Sequence, residues 1–188
     1  MVRRLNILRP QSRDDRLKSL IAVLEKMKKV RGTKLDLFGL DPDRVMGADQ
    51  VLVGRNNTRR AYNMRVRQKQ NIEDPLPVAG DKLVCLRNNR KKGLFNGGLW
   101  RVKSRAQSKS KIITMRLSPD EEFGHKVTKV SVRHDCFEGA IDAIPWEQRK
   151  PYDEFDYGYV LTVHKSQGSQ WDDVVLFDES FAFQDSRA

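Results

Sequence analysis

The run Tyr159-Val-Leu-Thr-Val-His-Lys-Ser-Gln-Gly168 constrains the fold more than any other stretch of this chain. Tyr159 to Val163 is apolar apart from Thr162, which suits a strand covered on both faces, as in a parallel sheet. The strand stops in a polar loop that presents a hydroxyl, an imidazole, an ammonium, a second hydroxyl and an amide before the closing glycine. Open α/β sheets bind ligands at the carboxyl ends of their strands, so this point is expected to be a phosphate or nucleotide site. The plainer reading is a strand end whose polar residues are solvated.

The 188 residues suffice for one ordinary domain or two small ones. A formal net charge of +11 implies self-repulsion unless a polyanion offsets it, and nucleic acid is the leading partner. An anionic membrane fits less well, because no amphipathic basic helix with a clean apolar face stands out. No apolar run approaches the ~20 residues of a membrane span and no signal peptide is evident, so a cytoplasmic location is expected. Cys85 and Cys136 lie far apart beside apolar residues and read as buried, reduced thiols. His125, His134 and Cys136 lack the fourth partner and the spacing of a zinc site.

Ser12 to Val30 reads as a helix, with Leu17, Leu20, Ile21, Leu24 and Met27 on one stripe, Ser12 and Asp15 at its start and Gly32 at its end. Asp41-Pro42 and Gly47 mark a loop. Val51-Leu-Val53 is expected as a short strand, Gly54-Arg-Asn-Asn57 as a turn, and Thr58 to Gln70 as a strongly basic helix with few apolar residues, Ala61, Tyr62, Met64 and Val66. Such a unit aims a helix N-terminus, which favours anions, at the sheet edge. Pro75, Pro77 and Gly80 mark a linker. Short β-rich segments follow at Lys82–Leu86, Leu99–Val102, Lys111–Leu117 and Lys126–Val132, with Asn89 to Gly93 as a basic loop and Asn96-Gly97-Gly98 as a hairpin-type turn. This middle region is expected to be a small antiparallel barrel inserted into an α/β domain. Val174 to Phe177 reads as a second buried strand.

Thr162-Val-His-Lys-Ser-Gln-Gly168 resembles the fifth motif of superfamily-one helicases of the RecD-like branch. Val51-Leu-Val-Gly-Arg-Asn56 with Arg60 and Asn63 resembles the strand and helix opening that family's second motor half. Gly80-Asp-Lys-Leu-Val84, with Arg87, Asn88 and Asn96-Gly97, resembles the start of its SH3-like barrel. Gln170, Val174 and Val175 continue the match, and Leu5-Asn-Ile-Leu-Arg-Pro-Gln11 resembles the fourth motif, with Pro10 separating Arg9 from Gln11. The pattern departs from the family by absences. No Gly-x-x-x-x-Gly-Lys-Ser/Thr loop occurs to cradle phosphates, no acidic Walker B pair is evident, and the sixth motif would fall after the last residues.

The resemblance therefore implies a fragment of an ATP-dependent DNA helicase of phage or plasmid type, like the alpha subunit of exodeoxyribonuclease V. The implied fold is a partial RecA-like parallel sheet, residues 1–78 and 145–188, with an SH3-like barrel inserted at residues 79–144. ATP and magnesium belong to the full-length parent, with none expected for the fragment. The missing N-terminal half would carry the phosphate loop and single-stranded DNA would be the partner. Arg9, Arg60, Gln167 and Gly168 are the implied nucleotide contacts. Thr162, His164, Lys165 and Ser166 are the implied DNA contacts, joined by Arg55, Arg87, Arg90, Lys91 and Lys92. Arg55 and Arg60 can touch phosphate of either ATP or DNA, or form a solvated helix face. Phe95, Trp100 and Tyr159 carry rings on which bases can stack, though Trp100 and Tyr159 suit a core better. Two other readings stand beside this one. A non-enzymatic basic nucleic-acid-binding module explains the charge without a motor. A nuclease would draw on Asp172, Asp173, Asp178 and Glu179, which read more simply as loop residues.

Overall fold

A computed structural model describes residues 42–106, 111–120, 127–167 and 169–177; the expected helix from Ser12 and the fourth-motif segment with Arg9 lie outside them. After a short helix α1 (Pro42–Gly47), strand β1 (Gln50–Val53) leads through Gly54-Arg55 into the long helix α2 (Asn56–Lys69). The antiparallel elements are β2 (Lys82–Cys85), β3 (Leu99–Arg105), β4 (Ile112–Pro119) and β5 (Thr128–Arg133). Two four-residue helices, α3 (Asp135–Glu138) and α4 (Trp146–Arg149), precede β6 (Phe155–Tyr157), β7 (Val160–Thr162) and β8 (Val174–Phe177).

The expected parallel sheet is present. Its three strands run β7-β1-β8, with Val53 level with both Thr162 and Phe177. All three carboxyl ends therefore open on the same edge. The second sheet is antiparallel, in the order β5-β4-β3-β2-β6. It does not close into the expected barrel: among the described residues β5 and β6 share no ladder, and Val132 of β5 bridges Asp153, which precedes β6. It also draws β6 from beyond the 79–144 expected for the insertion. Asn96-Gly97-Gly98 is not a strand-to-strand hairpin loop. It closes a longer excursion between β2 and β3, in which Asn89 bridges Leu94 and Gly97 N–H donates to Cys85 O at 2.8 Å.

Burial explains these strands. In β4, Ile113, Met115 and Leu117 alternate inward, and in β5 Val130 and Val132 do so, joining Leu83, Cys85, Trp100, Phe155 and Tyr157 in one core. Val127 lies on the other face and is exposed. Trp100 is a core residue, and both thiols are free and buried. Desolvation pushes Cys85 up to about 11 and Cys136 up to about 12. Lys82–Cys85 lacks clean alternation because both its faces are covered. Leu83 and Cys85 face the antiparallel core, while Val84 packs with Leu52 and Leu161 of the parallel sheet.

β6 and β7 are separated only by Gly158 and Tyr159, so the two sheets cross closely there. Gly158 N–H donates to Lys82 O at 2.8 Å. A Cβ on Gly158 would fall 2.8 Å from the Leu83 carbonyl carbon and 3.0 Å from Val84 N, so only glycine fits against this backbone.

Candidate nucleic-acid and nucleotide interface

The carboxyl edge of the parallel sheet is built from two chain segments. The first is the β1–α2 turn. Arg55 takes the N-cap position in extended conformation, its side chain makes no cap hydrogen bond, and the first turn of the 14-residue helix holds no acidic residue. The positive end of the helix dipole thus lies at this edge. The second is the loop after β7. Val163 N–H donates to Val53 O at 3.0 Å, tying the loop to β1. Lys165 and Ser166 N–H groups turn back onto Thr162 O at 2.8 and 3.2 Å. Ser166 Oγ donates to Val163 O at 2.8 Å, so its hydroxyl proton is spent inside the loop and its oxygen faces any ligand as an acceptor. Thr162 is buried, Lys165 and Ser166 are half-buried, and His164 and Gln167 are exposed. Gly168 lies outside the described residues.

Lys165 is set among charges from α2 and the α3–β6 region. Burial holds its pKa below the ordinary 10.5, Arg59 and Arg60 push the same way, and Asp156 and Asp142 oppose them. Arg59 is buried and donates through Nη2 to Asp156 Oδ2 at 2.7 Å, leaving its Nε and Nη1 without hydrogen-bond partners. Arg60 reaches Gly139 O at 3.5 Å, and a Cβ on Gly139 would collide with its guanidinium carbon at 2.8 Å. The edge is therefore cationic and rich in donors, a set that suits phosphate oxygens.

The basic loop divides in two. Arg87 donates to Glu154 Oε1 at 3.2 Å, to Lys150 O at 3.0 Å and to Tyr152 O, and Lys92 pairs with Asp153 at 2.5 Å. Both are held against the acidic stretch before β6. Arg90 and Lys91, in a single 3-10 turn, remain exposed.

The side chains that lock the site in place escape a reading by hydropathy. The buried stripe of α2 is Arg59, Asn63, Val66 and Arg67, at helical spacing but mostly polar, whereas Ala61 and Met64 are exposed. Asn63 clamps the edge strand β7: its Nδ2 donates to Val160 O at 2.9 Å and its Oδ1 accepts from Val160 N–H at 3.0 Å. Arg67 forms a two-pronged pair with Asp81, both at 3.1 Å, and Tyr159 Oη donates to the same carboxylate at 2.8 Å. Gln50 Nε2 donates to Gly158 O and Tyr159 O at 3.2 and 3.0 Å. Arg59, Asn63 and Arg67 recur at i, i+4 and i+8, a spacing that puts them on one helix face without showing whether that face is buried.

Among the described residues no helix is long and apolar enough to cross a membrane, and no three His, Cys, Asp or Glu side chains gather as metal ligands. No curated protein matches the chain at a significant level. Solved structures with partial likeness include Pif1 helicases. One, described as two coordinating Pif1 helicases at forked double-stranded DNA, is 15% identical with a TM-score of 0.42 over 68% of this chain and 32% of that one. Another, Pif1 helicase from Bacteroides with ADP-AlF3 and single-stranded DNA, is 13% identical with a TM-score of 0.43 over 91% of this chain and 44% of that one. This chain thus spans less than half the length of either. Residues 157–188, which begin at the last residue of β6 and take in β7, the polar loop and β8, match the family model of the UvrD-like helicase C-terminal domain.

Proposed function

We propose that this chain supplies one RecA-like half of a RecD-like, superfamily-one DNA helicase of phage or plasmid type, gripping single-stranded DNA and lining one wall of an ATP cleft. The observation that carries this reading is the Thr162–Gln167 loop. It stands at the common carboxyl edge of three parallel strands, beside the N-terminus of α2, within the segment matching the UvrD-like C-terminal domain. In a motor of this class one half holds the nucleotide's phosphates and magnesium, while the other brings cations to the developing charge and holds the strand. The donors on this edge fit the second role: Arg55, Arg60, Lys165 and the α2 N–H groups are phosphate ligands, and magnesium would be held by carboxylates of the other half. His164 and Lys165 meet the DNA backbone, with Arg90 and Lys91 extending the contact from the antiparallel sheet. Arg87 and Lys92 support that extension from beneath through Glu154 and Asp153. The open antiparallel sheet, with β6 at its edge, takes the place that an SH3-like barrel holds in such a motor.

The test uses the chain as it stands. It is expected to bind single-stranded oligonucleotides and, without a phosphate loop, to show no steady-state ATP hydrolysis above that of a Lys165→Ala variant. Hydrolysis by the isolated chain that Lys165→Ala abolishes would contradict the half-site assignment. Absence of single-stranded DNA binding at low salt would contradict the whole reading.

A further inference from the structure

Large apolar side chains exposed among the described residues are Met46, Met64, Phe95, Val127 and Trp146, and Phe95 is the most exposed of them at 60%. Single exposed apolar residues are common on soluble proteins, so exposure alone assigns nothing. Trp146 is covered by cations, with Arg87 and Arg149 at 5.1 and 5.6 Å from its ring centroid. Phe95 has no aromatic or cationic ring partner among the described residues.

Three observations distinguish it. First, its backbone is pinned. Phe95 O accepts from Gly98 N–H at 3.0 Å, Asn96 N–H donates to Asn88 Oδ1 at 2.7 Å, and the preceding Leu94 is fully buried. The ring is thus displayed from a fixed turn, so little freedom remains to be lost on binding. Second, this turn lies against the loop after β7: a Cβ on Gly97 would sit 3.7 Å from Lys165 O. Third, its exposed neighbours in the same excursion are Asn88, Arg90, Lys91 and Asn96, all cationic or amide. A protein-docking patch would gather further apolar side chains. A lone aromatic face beside phosphate-binding cations is what a stacked base and its backbone require.

We propose that Phe95 is a stacking platform for one base of a single strand whose phosphates run over the Thr162–Gln167 loop. The assignment rests on the reading of that loop as a nucleic-acid contact. It extends the contact from the sugar-phosphate backbone to a base without specifying which base.

The experiment compares wild-type chain with Phe95→Ala and Phe95→Trp, titrated with oligothymidine and with an abasic oligonucleotide of equal length at two salt concentrations. Phe95→Ala is expected to weaken oligothymidine binding about 5- to 100-fold with its salt slope unchanged, and to bind the abasic strand like wild type. Phe95→Trp is expected to retain affinity and to add fluorescence quenched by oligothymidine and not by the abasic strand. Unchanged oligothymidine affinity in Phe95→Ala, or equal loss toward both oligonucleotides, overturns the stacking assignment while leaving the backbone contact standing. Failure of wild type to bind either oligonucleotide overturns both.

Discussion

Lys165 shows how little residue type alone says about a charge in a folded chain. It is half-buried beside two arginines and two aspartates, and desolvation leads the effects that hold its pKa below 10.5. The sign of the consequence follows directly. The protonated form attracts phosphate, and it is lost as pH rises through the lowered value, before exposed lysines titrate. Single-stranded DNA affinity is therefore expected to fall in the alkaline range below 10.5 in wild type, and to stay flat over that range in Lys165→Arg, whose guanidinium keeps its proton. Anisotropy titrations across pH check this; identical profiles for the two proteins would remove Lys165 from the contact. The lysine was legible as a candidate site residue because six neighbouring letters form a motif. Its electrostatic setting was not, because Arg59, Asp142 and Asp156 come from distant points in the chain.

At the scale of elements, α2 is held by polar contacts where a helix on a sheet usually relies on an apolar stripe. Arg67 and Asp81 are 1% and 0% exposed, and their pair joins α2 to the start of β2, with Tyr159 Oη on the same carboxylate. The Arg67 guanidinium also lies 4.4 Å from the Tyr157 ring centroid. Truncating one partner of such a pair leaves a buried, uncompensated charge. Asp81→Ala is therefore expected to cost about 3–5 kcal/mol, read as a lower urea midpoint; a loss below about 1 kcal/mol would mean that water reaches Arg67. The strands other than β6 were readable from their β-rich or apolar runs. The polar face of α2 was not, since a buried arginine and an exposed one look alike until the partner carboxylate is located. Nor was the pairing of β6 with β2, which depends on a three-residue strand about seventy positions away from its partner.

For the whole molecule, a net charge of +11 must be read against which cations carry it. Arg59, Arg67, Arg87, Lys92, Arg101, Arg105 and Arg133 each pair with a carboxylate that the net charge already counts, so these pairs leave the excess of +11 intact and place it on the other cations. A strand crossing the loop after β7 and the Arg90–Lys91 turn would neutralise at least about three phosphates, giving log affinity against log salt a slope of about −2 or steeper. Titration of oligothymidine over a range of salt checks this, and a flat dependence would dissociate the basic surface from DNA. By itself the sequence determined the parallel strand, the polar loop at its end and the helix that follows β1. These follow from contiguous patterns in which each residue's neighbours are its neighbours in the chain. Only the tertiary structure decided that the antiparallel sheet stays open, that Arg87 and Lys92 turn inward, and that the Phe95 turn comes to rest beside Lys165. The physical reason is that ion pairing and sheet closure depend on which distant groups share a desolvated space, and chain order does not encode those distances locally.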